Sequence, residues 1–146
     1  MRVEESIEIG RPLKEVFDYV SEPDNFPEWT GTAIEVRKGA PGPVREGDTF
    51  TAAIKFLGRR FETPYERTTY EPDRLFKERA AGGPIPDQEW TYTFEEVPGG
   101  ATRLTRAVEG EPGGFFKLAD PLIERALKRQ VRIDLETIKD LLEARS

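Results

Sequence analysis

From Pro121 to Glu143 the chain carries no glycine and no internal proline, and its apolar residues cover more of a helix than one flat surface can bury. At roughly 100° per residue, Arg125, Lys128, Arg129, Arg132, Glu136, Lys139 and Glu143 fall on one polar side. Leu122, Ile123, Ala126, Leu127, Val131, Leu135, Ile138, Leu141 and Leu142 take most of the remainder. A flat sheet covers a single stripe of a helix, so this wide arc predicts a concave sheet closing around it. Asp120 is placed to cap the helix and Pro121 suits its first position, where no amide hydrogen is needed. Residues 114–119 are expected to form the turn that leads in.

The rest of the chain supplies such a sheet. Residues 2–9 alternate, with Val3, Glu5, Ile7 and Ile9 on one side, and Gly10 ends that strand. Pro12 opens a short amphipathic helix over 12–20, in which Leu13, Val16, Phe17 and Val20 recur at helical spacing. Ser21 to Trp29 holds two prolines and admits only a short helical turn. A second strand is predicted over 32–38, ending in the Gly39-Ala40-Pro41-Gly42-Pro43 loop. A meander comes next. Phe50, Ala52, Ile54 and Phe56 share a face, and Leu57-Gly58-Arg59 turns the chain. Phe61, Thr63, Tyr65, Arg67 and Thr69 then alternate with polar neighbours. Glu71-Pro72-Asp73-Arg74 is a tight turn before a strand over 75–81, closed by Gly82-Gly83-Pro84. Trp90, Tyr92 and Phe94 share a face of the sixth strand, and Pro98-Gly99-Gly100 leads into the seventh at 102–109, with Leu104 and Val108 inward. The expected class is α+β: a curved seven-stranded antiparallel sheet around a long C-terminal helix, two short helices after the first strand, and one domain over 1–146.

Composition narrows the chemistry. Neither cysteine nor histidine occurs among the 146 residues. Disulfides, thiolate nucleophiles, the usual zinc sites and the Ser-His-Asp and Cys-His arrangements are therefore excluded. Oxygen ligands remain, but no stretch has the spacing of a calcium loop, so no metal and no cofactor is expected. A net charge of −6 argues against a nucleic-acid surface and against attachment to anionic lipid. No apolar run is long enough for a membrane span, and the opening Met-Arg-Val-Glu-Glu lacks the apolar core of a secretory signal, so a cytoplasmic location is expected.

Several segments in order carry a family likeness: Ile9-Gly10-Arg11-Pro12 with Val16, Phe17 and Val20; Pro23, Asn25 and Trp29; Gly47-Asp48-Thr49-Phe50; Tyr70-Glu71-Pro72-Asp73-Arg74-Leu75; Trp90-Thr91-Tyr92-Thr93-Phe94-Glu95; and Gly99-Gly100-Ala101-Thr102-Arg103-Leu104-Thr105. Over nearly the whole chain this pattern resembles the START-like, or SRPBCC, superfamily, and within it the polyketide cyclase/dehydrase-like proteins of bacteria. The resemblance implies the helix-grip fold and a deep cavity between the sheet and the last helix. It leaves open which role is played, since members include hydrophobic-ligand carriers, aromatase/cyclases, hormone receptors, quinone-binding proteins and co-chaperones.

For the site, the aromatic face is Phe50, Phe56, Phe61, Tyr65, Phe76, Trp90, Tyr92 and Phe94; it is either plain core or, through its middle members Phe56, Phe61, Tyr65, Phe76, Trp90 and Tyr92 with Leu104, the wall of a ligand cavity. Trp29, at the joint between the short helices and the second strand, is either a wall residue or a packing anchor. Leu122 and Ala126 of the last helix complete the expected lining. Gln130, Asp134 and Thr137 interrupt the apolar arc. Gln130 and Asp134 are helix neighbours, and a buried carboxylate demands a partner, for which Arg67 and Arg106 are placed. Asp134 is then either half of a structural ion pair or a polar spot that orients a ligand. No pair of residues at catalytic spacing is fixed by the linear sequence, and Pro84-Ile85-Pro86 either covers a cavity mouth or forms a turn. The leading expectation is binding or carriage of a hydrophobic small molecule such as a lipid, by a monomer or homodimer. The alternatives are a cyclase or dehydratase using Tyr, Arg and carboxylate acid–base chemistry, and a co-chaperone-like interaction module.

Overall fold

The computed structural model describes residues 1–81, 87–111 and 120–145. The expectations placed on 82–86, on 112–119 and on the capping side chain of Asp120 lie outside the described residues. Strand β1 (Arg2–Ile9) leads into α1 (Leu13–Ser21), a 3₁₀ turn (Pro23–Asn25) and the single turn of α2 (Phe26–Trp29). Strands β2 (Ala33–Lys38), β3 (Thr49–Phe56), β4 (Arg59–Glu71), β5 (Leu75–Ala81), β6 (Asp87–Val97) and β7 (Ala101–Glu109) come next, and α3 (Asp120–Glu143) closes the order.

All seven strands form one antiparallel sheet in the order β1-β7-β6-β5-β4-β3-β2. The sheet is curved, with the C-terminal helix against it. Its inner face is set by strand parity. Phe76, Glu78 and Ala80 of β5, Trp90, Tyr92 and Phe94 of β6, and Leu104, Arg106 and Val108 of β7 are all buried. The helix α3 packs along β1, presenting Ile123, Leu127, Val131, Asp134, Leu135, Ile138 and Leu142 as one buried stripe. At its far end the Gly10 amide donates to Glu143 Oε2 at 2.7 Å, tying the helix to the end of β1.

The structure departs from the sequence pattern at three places. Pro12 stands just outside α1 as its cap, with ψ at 149°, and its carbonyl accepts the first helical bond from Val16 at 3.1 Å. A proline with no amide hydrogen costs nothing there. In β4 the register shifts between Arg67 and Thr69, so Thr68 is an extra residue and the parity of the rest of the strand is inverted. Tyr70, not Thr69, therefore packs inward, its ring 5.7 Å from that of Phe17. Finally, the buried stripe of α3 is narrower than the apolar arc: Leu122 is 57% exposed, Leu141 is exposed too, and Ala126 is only half-buried. The sheet grips the helix on one side and leaves Leu122 and Leu141 on the other.

Candidate ligand-binding site

Two ion pairs are buried on the inner face, each drawing one partner from a strand that alternates apolar and polar residues. On β4, Arg67 donates through Nη2 to Glu78 Oε2 at 3.0 Å and through Nη1 to the carbonyls of Ser21 at 3.0 Å and Val44 at 2.8 Å. Its guanidinium lies 4.3 Å from the centre of the Phe76 ring. This pair joins the end of α1 and the β2–β3 loop to the sheet. Burial pushes the Glu78 carboxyl up, and Arg67 opposes that shift.

The second pair lies under α3. Arg106 on β7 is 3% exposed and Asp134 is 1% exposed. Arg106 Nη1 donates to Asp134 Oδ2 at 3.0 Å, and Nε donates to the Tyr92 hydroxyl at 3.0 Å. The guanidinium sits between indoles, 4.1 Å from the centre of the Trp90 ring and 5.0 Å from that of Trp29, an arrangement in which the ring faces attract the cation. Gln130, one turn before Asp134, donates from Nε2 to Asp134 Oδ1 at 2.7 Å. Burial pushes the Asp134 carboxyl up, while Arg106, Gln130 and Thr30 pull it back. For Arg106 burial works against the charge, but Tyr92 and Asp134 outweigh it and the guanidinium is held more firmly protonated. Of the two partners open to Asp134 by sequence, the fold uses Arg106, because Arg67 is taken by Glu78.

A cavity of ≈ 60 Å³ opens beside this pair. Its apolar wall includes Phe26, Ile54, Phe56, Phe61, Trp90 and Leu127, while Arg106, Gln130 and Asp134 form its polar end. Tyr65 also faces it, and its hydroxyl takes no hydrogen-bond partner among the described residues. Burial pushes that phenol well above its ordinary range. On the outer side lies a groove of ≈ 420 Å³ between the start of α3 and the β3–β4 turn, lined by Lys55, Leu57, Leu122, Arg125, Arg129 and Ile133 among others. Thr32, Phe56 and Gln130 line both spaces and so stand between them. The turn itself is tight. Leu57 and Gly58 both have positive φ, 49° and 79°, which is unusual for a leucine and leaves the Leu57 side chain 49% exposed at the groove.

Of the residues singled out from sequence, Phe56, Phe61, Tyr65, Trp90, Gln130 and Asp134 are brought together around the cavity. Leu122 and Ala126 line the groove instead. Trp29 and Tyr92 lie behind the cavity, their rings 6.5 Å apart, and they hold Arg106 in place. Phe76 and Leu104 are packed core. Thr137 turns back on its own helix, donating to the Ile133 carbonyl at 3.0 Å. Sequence reasoning missed Glu78, although Phe76-x-Glu78-x-Ala80 carries it inward by parity. It also missed Phe26, whose place on a helix of one turn gives no periodicity to read. Among the described residues no cluster of acidic side chains could hold a metal ion, and no helix is long and apolar enough to cross a membrane.

The family described as polyketide cyclase / dehydrase and lipid transport matches this chain over residues 1–143. Two uncharacterized proteins of Mycobacterium tuberculosis are each 24% identical over 117 residues, which cover 80% of this chain and 50% of theirs. The chain thus spans about half the length of the curated relatives it matches. Among solved structures, a START superfamily protein from Mycobacterium smegmatis superposes with a TM-score of 0.82 at 11% identity, covering 97% of each chain. The Zhui aromatase/cyclase from Streptomyces sp. R1128 gives 0.79 at 14% identity, over 98% of this chain and 93% of that one. At these identities the likeness is one of fold, the helix grip.

Proposed function

Since the chain belongs to the polyketide cyclase / dehydrase and lipid-transport family, we propose that it binds and carries a hydrophobic small molecule, one end in the cavity under α3 and the remainder in the adjoining groove. The observation that carries this reading is the apolar wall of Phe26, Ile54, Phe56, Phe61 and Leu127 ending in one fixed polar cluster, Arg106, Asp134 and Gln130. Pockets for small molecules have this composition: mostly apolar, with a few placed polar groups that set orientation. Size argues for use of both spaces. Such pockets usually measure about 300–1,000 Å³; the cavity alone is ≈ 60 Å³ and the groove ≈ 420 Å³.

A cyclase or dehydratase is the second reading, favoured by the presence of Asp134, Arg106 and Tyr65 on the lining of one cavity. It is the weaker one because both oxygens of Asp134 are already engaged, Oδ2 by Arg106 and Oδ1 by Gln130. A general base must be placed to reach the substrate's proton, and here the carboxylate is committed to holding Arg106 and Gln130. Native mass spectrometry of the purified protein, with extraction and identification of whatever it retains, tests the binding reading. A stoichiometric apolar adduct is the expected result. A protein that carries nothing, and gains no thermal stability from a panel of aromatic and lipid-like compounds, would overturn it.

A further inference from the structure

The groove gathers three cations on one lining, with no acidic side chain among its lining residues. Among the described residues most exposed cations elsewhere are matched, such as Arg2 with Glu4, Arg37 with Glu35 and Glu62, Lys38 with Glu22 and Asp24, Arg103 with Glu8 and Arg132 with Glu5, while Arg45, Lys77 and Lys128 are not. Lys55, Arg125 and Arg129 line the groove, and among the described residues none of their side chains has an ion-pair or hydrogen-bond partner. In a chain with a net charge of −6, three unmatched cations around one concave surface are a local reversal of sign. The same groove exposes apolar side chains: Leu57, Leu122 and Ile133, the last 41% exposed. Apolar floor, cationic rim and an apolar cavity behind it occur at one place.

We propose that the ligand is a single-tailed amphiphile with an anionic head group, its tail running past Phe56 into the cavity and its carboxylate or phosphate held by Arg125, Arg129 and Lys55. This rests on the cavity reading above and deepens it. The chemistry fits: guanidinium groups present paired donors that match the oxygens of carboxylate and phosphate, and an ammonium adds a movable point charge. Arg125 and Arg129 are four residues apart and so neighbours on the helix surface, which lets both reach one head group. Gln130 lines groove and cavity alike, and its amide nitrogen is fixed by Asp134.

The test is calorimetric binding of decanoate, decyl phosphate and decanol to the whole protein at low salt, to wild type, to the Arg125→Gln/Arg129→Gln double variant and to Lys77→Gln. Lys77 on β5 is a further cation whose side chain has no partner among the described residues. In the wild type at least one of the two anions is expected to bind about tenfold more tightly than the alcohol, and the double variant to lose most of that preference. Decanol affinity stays unchanged in both variants, and Lys77→Gln behaves as wild type throughout. Whichever anion binds more tightly names the head group. Equal binding of decanol and both anions by the wild type overturns the head-group proposal and leaves the cavity reading standing. No binding of any of the three overturns both. Co-sedimentation with anionic vesicles without uptake of free decanoate also overturns the proposal, in favour of adsorption to a surface.

Discussion

Replacing Asp134 by Asn removes one charge while keeping shape and most hydrogen bonding, and it isolates what the buried pair contributes. Asp134 neutralises a guanidinium that, among the described residues, has no other anion in contact. Removing one partner of a buried pair typically costs about 3–5 kcal/mol, because the remaining charge stays desolvated and unmatched. Two features place Asp134→Asn at the lower end. The Asn carbonyl still accepts one bond from Arg106, and the indoles of Trp29 and Trp90 stabilise the cation by about 1–2 kcal/mol. The expected loss is about 3 kcal/mol, and Asp134→Ala should lose about 4–5 kcal/mol. For a chain of this size about 1 kcal/mol corresponds to roughly 3 °C in Tm, so Asp134→Asn should melt roughly 9 °C lower. Urea unfolding at neutral pH with an unchanged slope is the assay. The double variant Arg106→Met/Asp134→Leu, which removes both charges and keeps the volume apolar, should recover most of the loss. If Asp134→Asn unfolds within about 1 kcal/mol of wild type, the pair is not an isolated, desolvated contact.

Further expectations concern the other buried polar groups and the passage into the cavity. Glu78→Gln should cost about 2 kcal/mol, less than Asp134→Ala, because the carbonyls of Ser21 and Val44 still hold Arg67; equal losses in parallel urea titrations would contradict this. Burial pushes the Tyr92 phenol up to about 12 and the Tyr65 phenol higher still. The folded state therefore keeps protons that the unfolded chain releases near pH 10, and stability present below that pH is lost as pH rises towards 12. Each phenol removes about 1.4 kcal/mol per pH unit across that window, which urea midpoints at about pH 9 and about pH 11, followed alongside phenolate absorbance, will show. Phe56→Ala should widen the passage between groove and cavity and raise affinity for the neutral dye Nile red several-fold, whereas Phe56→Trp should lower it; no change in either variant would place the ligand elsewhere.

Most of the architecture could be read directly because each element announces itself by period. Trp90-x-Tyr92-x-Phe94 and the alternation of 2–9 are strands by their spacing, and 121–143 is a helix by its own. The failures come where a local event cancels a period. Nothing in Arg67-Thr68-Thr69-Tyr70 marks Thr68 as the extra residue, since the two threonines are interchangeable as local signals, yet the shift decides that Tyr70 packs against Phe17. The apolar arc of α3 misleads for a related reason. Leu122 and Leu141 match the buried residues in hydrophobicity, and only the extent of the sheet shows that they are left outside. For the site, the two buried arginines were visible as charged residues on apolar faces. Their choice of partner was not, because it depends on strand order: Arg67 lies opposite Glu78 across the β4–β5 pairing. The cationic groove is invisible in a linear sequence, where Lys55 and Arg125 are separated by most of the sheet.

The position of β1 has a consequence for how this protein comes into being on the ribosome. Among the described residues it is an edge strand whose one neighbour is β7, so a segment synthesised ahead of the other six strands waits for Ala101–Glu109 before it meets its partner. At about 5–20 residues per second that wait lasts roughly 5–20 s, with a β-prone segment in the open. Its composition suits the delay. Glu4 and Glu8 keep one face charged, and Glu5 places a carboxylate on the face that will later turn inward, which discourages pairing with a stranger's strand. Glu5 is answered by Arg132 at 3.0 Å, and Arg132 belongs to α3. The charge that protects the nascent strand is thus neutralised only when α3 arrives, so the sheet is locked by a helix made after every one of its strands.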